Sequence, residues 1–204
     1  MNQIFITNPK GGCGKTTIAT QLAGYYAKSD HKVLLVDHDA QKSSSDWHSG
    51  RPKRCNPIQL KTSSKITPVD SLDVDYVIHD MPAAWTLEHV EEILHSDDKV
   101  LIPILSSPTD IKAVLRFIIG LNRTGILETD IQIGLIANRV KTNTRYAKVQ
   151  RAFLDRLELP IVGTLRDTQN YIRAMDRGVT IFDLPPSMVK QDLSQWQSIV
   201  DWLE

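Results

Sequence analysis

Residues 8–17 read NPKGGCGKTT. Ahead of them QIFITN reads as a buried strand, and behind them Lys15 to Lys28 reads as a helix. A strand, a glycine-rich turn and a helix in that order form an anion site. Gly11, Gly12 and Gly14 let backbone N–H groups come close to an anion, and the helix N-terminus adds its partial positive charge. Lys15 is then placed to reach the β- and γ-phosphates of a nucleotide, and the Thr16 hydroxyl to ligate Mg²⁺. A glycine-rich turn with a stray Lys-Thr is the alternative, and the order of the four features speaks against it. The usual spacing G-x-x-x-x-G-K-[ST] fails at its first position, where residue 9 is Pro and a second lysine, Lys10, follows.

The same alternation continues along the chain. Short apolar runs rich in β-branched residues recur at KVLLVD, YVIHD, KVLIPIL and IQIGLIAN, with IVGTL after Pro160 as one more strand. Helices are expected at Thr86 to His95, Thr109 to Leu121, Arg145 to Leu157, Gln169 to Arg177 and Val189 to Leu203. This pattern predicts an α/β fold: a mostly parallel twisted sheet with helices on both faces. Ser49 to Asp73 breaks it, being polar and punctuated by Pro52, Pro57 and Pro68, with IQL as a short strand; it reads as an excursion within the domain.

At 204 residues the chain is expected to be one domain, 1–204. Lys plus Arg equals Asp plus Glu at 24 each, so net charge gives no bias toward nucleic acid or an anionic membrane. Cys13 and Cys55 are too few for a disulfide framework, and neither starts a C-x-x-C site. The N-terminus has no basic region ahead of an apolar stretch, and no run reaches the roughly 18 apolar residues of a membrane span. A cytoplasmic protein is expected.

Two carboxylates, Asp37 and Asp39, sit in VDHDAQ at the carboxyl end of the second strand, where open α/β sheets bind ligands. They can support a magnesium ion and orient a water; solvated strand-end acids are the alternative. Asp80 ends YVIHD in the same way and suits the role of holding Mg²⁺, directly or through water.

Together these motifs carry a family resemblance. KGGCGKTT resembles the deviant Walker A motif of the ParA/MinD family of P-loop ATPases, VDHDAQ its Asp-x-Asp-Pro-Gln segment, and YVIHDMP its Walker B. ANRV and LRDTQNYIRAMDRGVTIFD are similar to its later segments, so the likeness spans nearly the whole chain. The resemblance implies a P-loop NTPase fold, ATP and Mg²⁺ as cofactors, and a nucleotide site of Lys10, Gly11, Gly12, Cys13, Gly14, Lys15, Thr16 and Thr17, with Asn138 near adenine. It implies an ATP-dependent homodimer in which Lys10 crosses to the partner's phosphates while Lys15 acts within its own chain. Asp39 is then the residue that positions the attacking water, and Thr16, Asp37 and Asp80 form the metal set. Ala40 and Met81 depart from the family's usual proline and small residue, which puts loop geometry and turnover rate in question.

The family divides by what the dimer binds. From Arg139 to Arg177 there are nine Lys or Arg against four acids, and the rest of the chain is correspondingly acidic. Lys141, Arg145, Lys148, Arg151, Arg156, Arg166 and Arg173 are the candidate contacts to DNA phosphates; a solvated basic face is the alternative. In keeping with the resemblance, nonspecific nucleoid DNA, an adaptor of ParB type or a cargo-specific equivalent, and a partitioned or positioned cargo are expected. MVKQDLSQWQSIVDWLE has an apolar stripe but Lys190 as its only cation, so it reads as a closing helix and no membrane is expected. Two other readings stay open: an ATP-dependent ligase of the dethiobiotin synthetase type, and a MinD-like membrane-associated ATPase.

Overall fold

The apolar runs form the strands of one seven-stranded sheet in a computed structural model that describes residues 1–63, 73–83, 93–141 and 159–204. The elements, in chain order, are β1 (Asn2–Ile6), α1 (Lys15–Lys28), β2 (Val33–Asp37), α2 (Ser43–Ser49), β3 (Gln59–Thr62), β4 (Tyr76–Asp80), β5 (Lys99–Ile104), α3 (Pro108–Arg123), β6 (Gln132–Val140), β7 (Ile161–Arg166), α4 (Gln169–Met175) and α5 (Pro186–Leu203). The strand order is β3-β2-β4-β1-β5-β6-β7, and every pair is parallel. Parallel strands need their connections on the faces, which is why β2 and β4 are buried along their whole length.

The two faces carry separate cores. On one, α1 and α5 pack Ile18, Leu22, Tyr26, Trp196 and Ile199 against Ile4, Ile6, Leu35, Ile78 and Ile136. On the other, α3 packs Val114, Phe117 and Leu121 against Phe5, Ile102 and Leu135. Each such large side chain contributes about 1.5–3 kcal/mol when fully buried. Close approach of α5 needs a bare backbone beneath it, because a Cβ on Gly163 would lie 2.3 Å from Ile199.

Several boundaries differ from the sequence reading. α5 starts at Pro186, before Val189, because proline suits a first helical turn whose N–H has no partner. β6 runs on to Val140, past the expected end at Asn138. α2 was not expected at all: SSSDWHS has no apolar period, and the helix is held instead by buried Trp47, whose indole N–H donates to the Val179 carbonyl at 3.1 Å. The Ser49 to Asp73 excursion supplies β3, a short and mostly exposed strand on the edge of the sheet beside β2. The expected helix at Arg145 to Leu157, and most of that at Thr86 to His95, lie outside the described residues.

Candidate functional site

Strand register brings the acids together. Asp37 and Asp80 are register partners at the ends of β2 and β4, and Ile6, the last residue of β1, pairs with Asp80 on its other side. The loop that leaves β1 therefore passes directly over both carboxylates. Gly12 and Gly14 take positive φ, 76° and 97°, and Gly14 is the N-cap of α1 without any side-chain cap. The first amides of α1 are thus left open at the end of a 14-residue helix, as an anion requires.

Lys15 is buried, and its ammonium donates to the Asn8 carbonyl at 3.3 Å and the Lys10 carbonyl at 3.1 Å. Asn8 fixes the start of the loop, with its amide donating to the Pro103 carbonyl at 2.6 Å and its Oδ1 accepting from the Lys10 N–H at 2.8 Å. Asn138, expected near adenine, lines the cavity, but its amide is engaged with backbone. Its Nδ2 donates to the Cys13 carbonyl at 2.7 Å and its Oδ1 accepts from the Arg139 N–H at 2.9 Å. Gly14 has to be glycine for this contact, since a Cβ there would lie 2.3 Å from the Asn138 amide nitrogen. Cys13 is a buried packing residue whose thiol donates to the Lys10 carbonyl at 3.4 Å and is held above its usual pKa by burial.

The acids are tied to hydroxyls. Thr16 Oγ1 donates to Asp80 Oδ2 at 2.8 Å, and Ser44 Oγ donates to the same oxygen at 2.7 Å. Ser45 donates to Asp37 Oδ2 through both its N–H, at 2.9 Å, and its hydroxyl, at 2.6 Å. Asp80 Oδ1 is buried with no partner, and burial raises this carboxyl to about 6. An orphaned carboxylate oxygen beside the Thr16 hydroxyl and Asp37 fits a hard divalent cation such as Mg²⁺, which takes oxygen ligands. Asp39 accepts from the Gln41 N–H at 3.0 Å and faces the cavity. Behind the acids, His38 and His79 join ring nitrogens at 3.0 Å, and burial keeps both below the usual histidine pKa.

Ser44 and Ser45 were missed in the sequence, where they sit in a polar run without periodicity. The only signal was their place just after VDHDAQ, on the first turn of what proved to be a helix. Met81, where the family prefers a small residue, is fully buried in the core on the α3 face.

The cavity above these groups holds about 700 Å³, within the range of small-molecule sites. It runs from Gly11, Gly12, Gly14, Lys15, Thr16 and Thr17 past Asp39 and Pro82 to Arg139, Asp167, Tyr171 and Met175. Lys10 is not part of this lining; its ammonium instead lies 3.4 Å from Asp110 at the start of α3.

The candidate DNA residues divide. Arg145, Lys148, Arg151 and Arg156 lie outside the described residues. Lys141 and Arg173 are exposed. Arg166 is redirected: its guanidinium holds fully buried Asp192 at 2.5 and 3.1 Å and Gln191 at 2.7 Å, so it ties β7 to α5.

A family model for the CobQ/CobB/MinD/ParA nucleotide binding domain matches residues 4–181. The "maintenance of carboxysome distribution protein A" of Halothiobacillus neapolitanus is 27% identical over 186 residues, 88% of this chain and 86% of its own length. The septum site-determining protein MinD of Helicobacter pylori is 26% identical over 219 residues, 86% of this chain and 81% of its own. Among solved structures, a putative plasmid partition protein of Borrelia burgdorferi bound to AMPPNP superposes with a TM-score of 0.71 at 18% identity, covering 98% of each chain. An ATP complex of a Cyanothece McdA variant superposes with a TM-score of 0.74 at 18% identity, covering 98% of this chain and 96% of that one. Because the family model's match covers well over half of the chain and takes in the loop and the three acids, the chain belongs to the CobQ/CobB/MinD/ParA nucleotide-binding family.

Proposed function

We propose that this chain is a positioning ATPase of the ParA type. Two copies pair around Mg·ATP, the pair binds DNA phosphates without reading sequence, and hydrolysis releases it, with an adaptor on the cargo accelerating that step. The observation that carries this reading is the separation of the two lysines. Lys15 lines the phosphate cavity, whereas the Lys10 side chain leaves the same loop away from it, 40% exposed and paired with Asp110 at 3.4 Å. The relative named for maintenance of carboxysome distribution supports a large body as the cargo.

Within one chain, the open amides of the loop and α1 bind the phosphates, and Lys15 adds its charge from beneath. Thr16, Asp37 and Asp80 would hold Mg²⁺, which would supply charge neutralisation across the β- and γ-phosphates. Asp39 orients the water that attacks the γ-phosphorus; that bond forms as the bond to the bridging oxygen breaks, giving ADP and phosphate. Lys10 of the second chain makes pairing depend on the nucleotide, so that loss of the γ-phosphate weakens the pair.

The packing of α5 speaks against this helix as a lipid anchor. α5 buries Val189, Trp196, Ile199, Val200 and Leu203, the stripe a membrane would need. No helix among the described residues is long and apolar enough to cross a membrane.

The test is binding to random-sequence DNA at fixed salt with no nucleotide, with ADP, with ATP, and with ATP plus Lys10→Ala protein. Binding only by wild type with ATP is the expected result. Equal binding by Lys10→Ala would remove the paired switch, and no binding in any state would turn attention to the small-substrate ligase reading.

A further inference from the structure

Lys10 is held in an electrostatically awkward place. Its ammonium lies 3.4 Å from Asp110 Oδ1 and donates to Thr109 Oγ1 at 3.4 Å, at the N-terminus of the 16-residue α3. That end of a helix carries partial positive charge and disfavours a cation. Asp110 is therefore what makes the position tolerable for Lys10.

The carboxylate is well anchored for the task. Asp110 is 6% exposed, Ser107 donates its hydroxyl to Asp110 Oδ2, and Ser107 Oγ accepts from the Asp110 N–H at 3.2 Å. Lys10 is the opposite case. Its backbone is fixed by Asn8 and Lys15, but its side chain is 40% exposed and can turn away without disturbing the loop.

We propose that Asp110 is a positioning residue that parks Lys10 on its own chain and competes with the partner's phosphates for it, so that the strength of this ion pair sets how readily two copies join. The inference rests on the reading that Lys10 acts across the pair. A lysine bound to Asp110 cannot reach a second chain, so each pairing event must first break one such contact on each side. Thr109, exposed and already touching Lys10, offers a place to strengthen the parking without entering the core.

The experiment is sedimentation equilibrium of the full chain with Mg²⁺ and AMPPNP, which holds the ATP state without turnover. Asp110→Asn keeps the shape and removes the charge; the dimer dissociation constant should fall by about three- to tenfold, the scale of partly exposed ion pairs. Thr109→Glu should raise it by a similar factor, since a second carboxylate then holds Lys10. Both effects should vanish in a Lys10→Ala background, which a merely structural role for Asp110 would not allow. If Lys10→Ala weakens pairing but Asp110→Asn and Thr109→Glu leave the constant within twofold of wild type, parking is refuted and the crossing role of Lys10 survives. If Lys10→Ala pairs as well as wild type, the crossing role itself fails. Should Asp110→Asn lower the thermal midpoint by loosening α3, Thr109→Glu with and without Lys10 decides the matter alone.

Discussion

The carboxyl ends of β1, β2 and β4 and the basic stretch after β6 are built on different principles. At the first, charged and hydroxyl groups meet at 2.6 to 2.9 Å because strand register puts Asp37 beside Asp80 and α1 and α2 deliver Thr16, Ser44 and Ser45 to them. At the second, exposed Arg139 and Lys141, at the end of β6 and just past it, meet Asp167 loosely at 3.3 and 3.9 Å, while Arg166 is drawn in to Asp192. The first arrangement is knit by short, mutually dependent contacts, so single changes there should be severe. The second is a surface whose contacts would add one by one and weaken with salt.

The largest effect expected is on turnover. Asp39→Ala should cut ATP hydrolysis by about 10²- to 10⁴-fold, the range for a lost general base, while ATP binding stays. A single-turnover assay beside equilibrium nucleotide binding checks it, and near-normal turnover would take the water-positioning role from Asp39. Lys15→Ala should lower ATP affinity by about a hundredfold, as loss of a charge-assisted contact does. Retained tight binding in calorimetry would break the phosphate-loop assignment.

Asn138→Ala sharpens the contrast from a distance. It leaves the Cys13 carbonyl and the Arg139 N–H without their partner, so the loop loses its clamp and ATP affinity should drop by about tenfold, equivalent to about 1.4 kcal/mol. A change under twofold would mean that the loop holds its shape without the clamp.

A milder effect concerns pH. In metal- and nucleotide-free protein the Asp80 carboxyl is raised from 3.8 to about 6, so the folded chain binds this proton more tightly than the unfolded one. The stability it contributes is complete below pH about 4 and lost as pH rises through about 6. The thermal midpoint of wild type relative to Asp80→Asn should therefore decline across that window, and a flat difference would remove the assigned shift. The smallest effect belongs to the surface. Lys141→Ala should reduce the slope of log DNA affinity against log salt by about 1, whereas Arg166→Ala should lower the thermal midpoint by stripping buried Asp192 of its cation. The reverse outcome would exchange the roles of these two residues.

How much of this was legible depended on whether the chemistry was local in sequence. The phosphate loop was readable because Gly14, Lys15 and Thr16 act as neighbours on one turn. Asp37 and Asp80 were readable because an acid closing an apolar run marks a strand end. Their direct pairing was not, since register is fixed only when the whole sheet forms. The clamp from Asn138 to Cys13 and the ion pair of Lys10 with Asp110 join residues about a hundred positions apart, and no spacing announces them. Arg166 looked like part of a basic face because one-dimensional charge counting cannot see Asp192 beneath it. α2 escaped because one buried tryptophan, and not a repeating stripe, holds it in place.

The strand order has a further consequence, for the chain as it emerges from the ribosome. β1 is made first yet ends in the middle of the sheet, between β4 and β5, so it has no neighbour until residues 76–80 and 99–104 have appeared. The loop that follows it waits longer still, because its clamp comes from Asn138. A nascent chain that already carries the whole Gly-Lys-Thr motif therefore holds that loop less firmly until Asn138 has appeared. The anion site is a product of the finished sheet, not a template for building it.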